Sequence, residues 1–336
     1  MSGVATMELK PGYAISRVIR GGWQLAGGHG PIDRGNAVDD LIAAFDAGIF
    51  TFDCADIYTG VEELYGAFRV ALRQTRGAAA ASRLKVHTKL VPDLTLLPTI
   101  ARADIERIVD SSLRRLRVEA IDLVQFHWWD YAEPRWLEAL HWLDALRVKG
   151  KVRNVGATNF DAAHVEAIVT AGIPLLSIQV QYSLLDRRPE SGLADLCREH
   201  RIALLCYGSA AGGFLSDRWL GAPEPTGALE NRSLTKYKLI IDDFGGWPLF
   251  QELLATLRAI ADRHACDIAT VAMSQAWRSS SVPARAPIWR PTRRRQASRS
   301  TPPTKRRSPR SSPARAGHRA RSTRWSATAR AGMARS

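Results

Sequence analysis

The chain has 336 residues, 46% of them apolar, enough for one large domain or two medium ones with a sizeable core. Its formal net charge of +14 is concentrated: residues 278–336 hold sixteen Arg and one Lys and no acidic group, leaving 30 basic and 33 acidic groups elsewhere, a net of −3. Whole-chain basicity therefore gives no ground for reading the body as a nucleic-acid binder, and four scattered cysteines without a C-x-x-C pair argue against a disulfide framework or zinc site.

The N-terminal segment lacks the apolar core of a signal peptide, and no run of about 18 uncharged apolar residues occurs. A cytoplasmic protein without a membrane span is expected. In chain order, 15–20 reads as a first strand, followed by Gly21-Gly22-Trp23-Gln24 and a glycine-rich loop. Helical spacing at Val38, Leu41, Ile42 and Phe45 predicts a helix over 37–48, ended by Gly48. A strand at 49–53, a helix at about 61–74 and a strand at 84–89 come next. Helix 101–116 carries Ile105, Ile108, Val109 and Leu113 on one face. Strands at 121–126, 152–156, 175–180 and 202–206 alternate with helices at 133–148, 161–171 and 189–200. The segment 208–248, with its Gly and Pro, reads as a long connection before helices at 249–264 and 267–278.

Steady strand–helix alternation predicts parallel strands with helical crossovers. Eight such units close a TIM barrel of typically about 250 residues. The expected fold is thus an α/β, TIM (β/α)8-type barrel over 1–278, one unit short. From 279 the pattern stops: no Leu, Phe, Tyr, Asp, Glu or Asn occurs through 336. Such a segment cannot offset an ordering entropy of about 1–2 kcal/mol per residue, so 279–336 is expected to be a disordered basic tail in place of the eighth unit.

Three strand ends carry a polar stop. Asp53 and Tyr58 follow the strand at 49–53, Lys89 ends Leu84-Lys85-Val86-His87-Thr88-Lys89, and His127 ends Ile121-Asp122-Leu123-Val124-Gln125-Phe126-His127. In a parallel barrel these ends are neighbours. A tyrosine hydroxyl, with a pKa of about 10, is a poor acid–base group until an ammonium beside it favours the phenolate. Asp53 would balance the buried Lys89, and a neutral His127 can orient a substrate oxygen or relay a proton. The four groups suit protonation of a carbonyl oxygen while hydride arrives at its carbon. Taken singly, His127 would read as a core histidine and Lys89 as a surface charge. Asp56 reads as a loop hydrogen-bonder; a glycosidase pair with Asp53 is disfavoured, since both come from one strand end. His264 and Cys266 lack further ligands, so no metal is expected.

In these residues and their flanks the chain resembles the aldo-keto reductases. The matching stretches are Phe52 to Tyr58, Thr88-Lys89, Asp122 to His127, Gly150 to Phe160 and Gln179 to Leu185, within about residues 12–277. The resemblance implies a TIM-barrel oxidoreductase with Tyr58 as general acid, Lys89 and Asp53 as its tuning pair and His127 as orienter. It implies NADP or NAD as cofactor, NADP being the family's usual one. Thr158, Asn159 and Gln179 would hold the nicotinamide carboxamide and Tyr207 would stack on the ring. Gly22 and Trp23 would form a cofactor or substrate wall, and Gly208, Ser209, Gly212 and Leu215 the loop around the pyrophosphate. No G-x-G-x-x-G lies between a strand and a helix, which disfavours a Rossmann site. The implied partner is a small aldehyde, ketone, sugar or alcohol; oligomeric state is unreadable. The competing reading is a non-catalytic barrel whose Arg-rich tail binds nucleic acid or an acidic partner, disfavoured because the tail has two aromatics for stacking and no recognisable module.

The expected eighth-unit motif is replaced by Ala286-Pro287-Ile288-Trp289-Arg290-Pro291 and an Arg/Pro/Ala/Ser run that resembles translation of a GC-rich coding region in a shifted frame. Sequencing the gene and translating the other two frames past codon 279 is expected to reveal a strand-plus-helix ending of the family type. Failure in both frames would end the idea.

Overall fold

The computed structural model describes residues 4–27 and 33–280. Its N-terminus is a hairpin, β1 (Thr6–Lys10) and β2 (Tyr13–Ser16), paired antiparallel with Met7 opposite Ile15. Seven parallel strands follow in sequential order: β3 (Arg20–Gly21), β4 (Thr51–Asp53), β5 (Lys85–Leu90), β6 (Leu123–Phe126), β7 (Val155–Thr158), β8 (Leu175–Gln181) and β9 (Ala203–Tyr207). The strand expected at 15–20 is therefore two elements. Residues 13–16 belong to the hairpin, and only Arg20–Gly21 joins the parallel sheet, opposite Phe52 and Asp53. Tyr13 and Ile15 pack with Leu123, Leu176 and Leu205, so the hairpin plugs the end of the sheet where the strands begin. Ser16 and Thr51 exchange backbone-to-hydroxyl hydrogen bonds of 2.9 and 3.0 Å, which tie the plug to β4.

The crossovers are α1 (Arg34–Asp46), α2 (Val61–Arg83), α3 (Arg102–Leu116), α4 (Trp136–Val148), α5 (Ala162–Thr170) and α6 (Leu193–Glu199). On α2, Val61, Leu64, Tyr65, Phe68 and Leu72 are buried, the spacing of one helical face. The helix runs nine residues past the expected end at 74, through a non-helical Gly77. On α3, Ile105 and Val109 are buried, while Ile108 and Leu113 pack at the core's edge. Helix α6 is shorter than the expected 189–200, because Pro189 lies in a separate 3-10 turn and Gly192 adopts φ +96°.

The largest departure lies within 208–248. Residues Arg232–Phe244 form a helix, α7, followed by α8 (Gly246–Arg263) and α9 (Ile268–Ser280). The Asn231 side chain accepts the Leu234 N–H at its start, and Leu234, Tyr237 and Ile241 are buried at three- and four-residue spacing. Among the described residues the sheet ends at β3 and β9. The expected eighth unit and the tail from 281 onward lie outside the described residues.

Helices α2 and α3 meet at Gly66. A Cβ there would lie 2.3 Å from the Arg115 carbonyl oxygen, a backbone atom that cannot swing aside. Propensity alone would make alanine in mid-helix better than glycine by about 1 kcal/mol. Gly66→Ala is nevertheless expected to destabilise the protein by roughly 1–3 kcal/mol, because the helices must separate. A thermal melt of the variant checks this, and an unchanged or raised Tm would contradict it.

Candidate active site

Asp53, the last residue of β4, is 8% exposed and points into the sheet's concave interior. Its Oδ2 accepts from Lys89 Nζ at 2.5 Å. Its Oδ1 accepts from Gln125 Nε2 and from Gln179 Nε2, each at 2.8 Å. One carboxylate thus joins β4, β5, β6 and β8. Lys89 also donates to the Cys54 carbonyl at 2.9 Å, and its nitrogen lies 5.4 Å from the centre of the Tyr58 ring. Burial by itself would lower the Lys89 pKa, but Asp53 and the phenol of Tyr58 outweigh it, and the net direction is upward.

Tyr58 sits in the turn between β4 and α2, its N–H bonded to Ala55 O at 3.0 Å. Its ring meets that of Trp23 at 5.2 Å and 59°. The tuning differs from the sequence expectation. Burial raises the Tyr58 pKa; Lys89 pulls it down, and Asp53 pushes it up again. The net direction is upward because burial outweighs the pull of Lys89, which Asp53 partly cancels. The hydroxyl is therefore protonated at neutral pH.

His127, just past β6, has its Nδ1 3.5 Å from the Thr158 carbonyl and its ring edge-on to Trp129 at 4.6 Å. A contact of that length is weak, but a carbonyl can only accept, so it favours the proton on Nδ1 and leaves Nε2 as an acceptor. Burial lowers the His127 pKa to about 4. Asp56 accepts the N–H groups of Ile57 and Val91 at 2.9 and 3.1 Å, and burial raises its pKa to about 7. It holds the turn that carries Tyr58.

The remaining expected residues divide. Thr158 is buried at the end of β7, and Asn159 beside it is exposed with φ +63°. Asn159 Oδ1 accepts from the Tyr207 hydroxyl at 2.9 Å, so the two lie on one rim with Gln179. Gln179 donates its amide hydrogens inward to Asp53, which leaves its carbonyl oxygen as the group it can offer a ligand. Gly22 is explained by packing: a Cβ would lie 2.8 Å from Val61 Cγ1 and 2.9 Å from Tyr65 Oη. In the loop after β9, Gly208 and Gly212 have φ +73° and +65° and lie against Tyr237 of α7. Ser209 is half-buried in that loop. Leu215 is fully buried and its N–H is bonded to Ala210 O at 3.2 Å, so it anchors the loop from beneath and does not face the cleft. Lys236 of α7 holds its nitrogen 4.9 Å from the centre of the Tyr207 ring. Two contributors were missed in the sequence. Gln125 shares a strand face with His127 by two-residue alternation, which is the signal that could have found it. Lys236 was hidden inside a segment read as irregular.

The sequence profile described as the Aldo/keto reductase family matches residues 17–301, further than the recognisable motifs extend. The NADH-specific methylglyoxal reductase of Escherichia coli (strain K12) is 27% identical over 280 residues, covering 77% of this chain and 81% of that protein. Flagellar radial spoke protein 5 of Chlamydomonas reinhardtii is 30% identical over 257 residues, 65% of this chain; the chain spans 48% of that relative's length. The glycerol dehydrogenase of Gluconobacter oxydans superposes with a TM-score of 0.63 at 26% identity, covering 82% of each chain.

His87, fully buried, and His127, half-buried, give the fold a pH signature. Burial lowers His87 and His127 to about 4, against about 6.5 in an unfolded chain. Between those values the unfolded chain binds imidazole protons that the folded state refuses, so this contribution is full above pH 6.5 and falls as pH drops towards 4, partly offset by Asp56, which takes up a proton in the fold below about pH 7. The fully buried His87 should account for roughly 2–3 kcal/mol of that loss. Urea midpoints across pH 4–8 in an Asp56→Asn background check it; a flat profile there would mean that the imidazoles charge freely in the fold.

Proposed function

Because the chain belongs to the aldo/keto reductase family, whose members are nicotinamide-dependent oxidoreductases acting on carbonyl compounds, we propose that it reduces a small aldehyde, ketone or sugar with Tyr58 as the proton donor. The observation that carries this reading is the Lys89 ammonium lying between the Asp53 carboxylate, 2.5 Å away, and the Tyr58 ring. When bound, the cofactor supplies the hydride; everything else falls to the chain's own groups.

Burial keeps the Tyr58 phenol protonated and ready to donate to a substrate oxygen. Once the proton has gone, the phenolate is stabilised by Lys89, whose attraction costs little reorganisation because Asp53, Gln125 and Gln179 already hold the ion pair. Asp53 keeps Lys89 charged despite its burial. His127, neutral at physiological pH, offers the cleft an acceptor at Nε2 and so suits the hydroxyl of an alcohol, the same reaction run in reverse. Trp23, against Tyr58, and Trp129, against His127, wall the cleft with aromatic surface.

The donor set fits a nicotinamide. Gln179 has a carbonyl oxygen for an amide N–H, Asn159 has an amide N–H₂ not used by Tyr207, and Tyr207 offers a flat ring on the same rim. The names of relatives that act on methylglyoxal and on glycerol support a small polar substrate.

Tyr58→Phe is expected to cut carbonyl reduction by about 10²–10⁴-fold while leaving cofactor affinity unchanged. Steady-state rates across a panel of aldehydes, ketones and sugars, beside a fluorescence titration of reduced cofactor, check both halves. A variant that keeps full rate would remove Tyr58 from this role.

A further inference from the structure

Three buried polar atoms within the sheet's concave interior have no hydrogen-bond partner among the described residues: His87 Nδ1, Gln125 Oε1 and Ser177 Oγ. Strand alternation puts all three side chains on the inner face. His87 precedes Lys89 by two residues on β5, Gln125 lies beside Lys89 on β6, and Ser177 precedes Gln179 by two residues on β8. Strand β7 runs between Gln125 and Ser177, and its Gly156 is the register partner of Gln125. A Cβ on Gly156 would lie 2.7 Å from Ser177 Oγ, so the missing side chain leaves the serine hydroxyl room on that side.

The neighbours of these atoms fix which of them donate. The Tyr13 hydroxyl has His87 Nε2, 3.0 Å away, as its one side-chain partner among the described residues. A buried phenol that merely accepted would leave its proton unbonded, so Tyr13 donates and Nε2 accepts. His87 is fully buried, and burial lowers its pKa to about 4, so the ring is neutral and its single proton sits on Nδ1. Gln125 donates from Nε2 to the Asp53 carboxylate at 2.8 Å, which turns Oε1 away as an acceptor. The interior therefore holds an N–H donor, a carbonyl acceptor and a hydroxyl able to do both. One water completes that set by accepting from Nδ1–H and donating to Oε1 and to Ser177 Oγ. Buried waters typically make about three such bonds.

We propose that His87 is a positioning residue: through a buried water shared with Gln125 and Ser177, it holds the Gln125 amide with its hydrogens on Asp53. The consequence for rate rests on the reading that Lys89 and Asp53 serve Tyr58. A buried amide oxygen without a donor is costly, and the amide relieves that cost by rotating away from Asp53. Asp53 Oδ1 would then keep only its bond from Gln179, and the lysine it anchors would lose its fixed place beside the Tyr58 ring. The water removes that drive by giving Oε1 a donor, and the Nδ1–H of His87 fixes which way the water points. Loss of this lock weakens support for the phenolate formed during reaction and leaves substrate contacts alone, so it falls on kcat and not on KM.

The full chain is crystallised, and its histidines are labelled with nitrogen-15 for NMR at neutral pH. The expected results are density for a water bonded to His87 Nδ1, Gln125 Oε1 and Ser177 Oγ, and an imidazole that carries its proton on Nδ1. An interior without that water, a direct bond between His87 and Gln125, or a proton on Nε2 overturns the proposal. Steady-state rates are then compared for His87→Asn, His87→Gln and His87→Leu. The asparagine amide nitrogen stands where Nδ1 does, whereas that of glutamine reaches towards the Nε2 position. His87→Gln and His87→Leu are expected to lower kcat by about tenfold or more with KM within about twofold of the parent, and His87→Asn to recover most of the rate. Glutamine is closer to histidine in volume, so a packing role would rank it above asparagine; that order, or equal rates in all three variants, overturns the proposal. Should the variants not fold, the parent's density and tautomer still decide. A Tyr58→Phe variant with full rate would end the reading of Tyr58 and leave the water and tautomer standing, whereas an absent water beside an inactive Tyr58→Phe would overturn this proposal alone.

Discussion

The structure turns on a buried carboxylate. Taking Asp53 out of water is costly, and attraction to one cation offsets that cost only when the remaining lone pairs are also bonded. Here they are: Lys89 takes one oxygen, and two glutamine amides take the other. These four residues come from four strands, so the ion pair requires the sheet to curve with one register. The register supplies it, with Asp53 beside His87 and Lys89 beside Gln125. The same bonds immobilise the lysine that faces Tyr58, so the fold's most demanding polar arrangement and the proposed catalytic one coincide.

A second buried acid braces this arrangement from the outside of the sheet. Glu62, 1% exposed at the start of α2, accepts from Thr88 Oγ1 at 2.6 Å and from Arg115 Nε at 2.7 Å. It links α2 to β5 one residue before Lys89 and to the end of α3. The close approach of α2 to α3 at Gly66 lets Arg115 reach it. Below, the β1–β2 hairpin covers the other end of the interior with Tyr13 and Ile15, and the Tyr13 hydroxyl lies 3.0 Å from His87 Nε2. Strand-begin packing and strand-end chemistry are thus separated along the same strands, the division expected of a parallel barrel.

The rim formed by Asn159, Gln179 and Tyr207 is different in kind. Gln179 is buried, Tyr207 half-buried and Asn159 exposed, and a helix inserted after β9 completes it. α7 buries its apolar face against the β9 loop and turns Lys236 towards Tyr207. One insertion thereby stabilises a glycine-containing loop and adds a charge beside the aromatic plate. Similarity at the level of strand-end motifs carries no information on this part, because the helix lies outside them.

Much was legible in the chain itself. Alternating strand and helix periodicities gave the seven parallel strands and the order of their crossovers, because each element's period reflects the face it buries. Asp53, Tyr58, Lys89 and His127 were recognisable because polar residues that end apolar strands have few other reasons to be there. Misreadings fell where local pattern is weak: a first strand divided between hairpin and sheet, and a thirteen-residue helix flanked by Gly and Pro. By itself the sequence determined which groups stand at which strand ends. Only the tertiary structure decided which atom each group spends on which neighbour: that Gln179 turns its amide inward, that Leu215 is core, and that burial outweighs Lys89 in setting the direction of the Tyr58 pKa. Those outcomes depend on distances and solvent exclusion between segments far apart in the chain, and no local pattern encodes either.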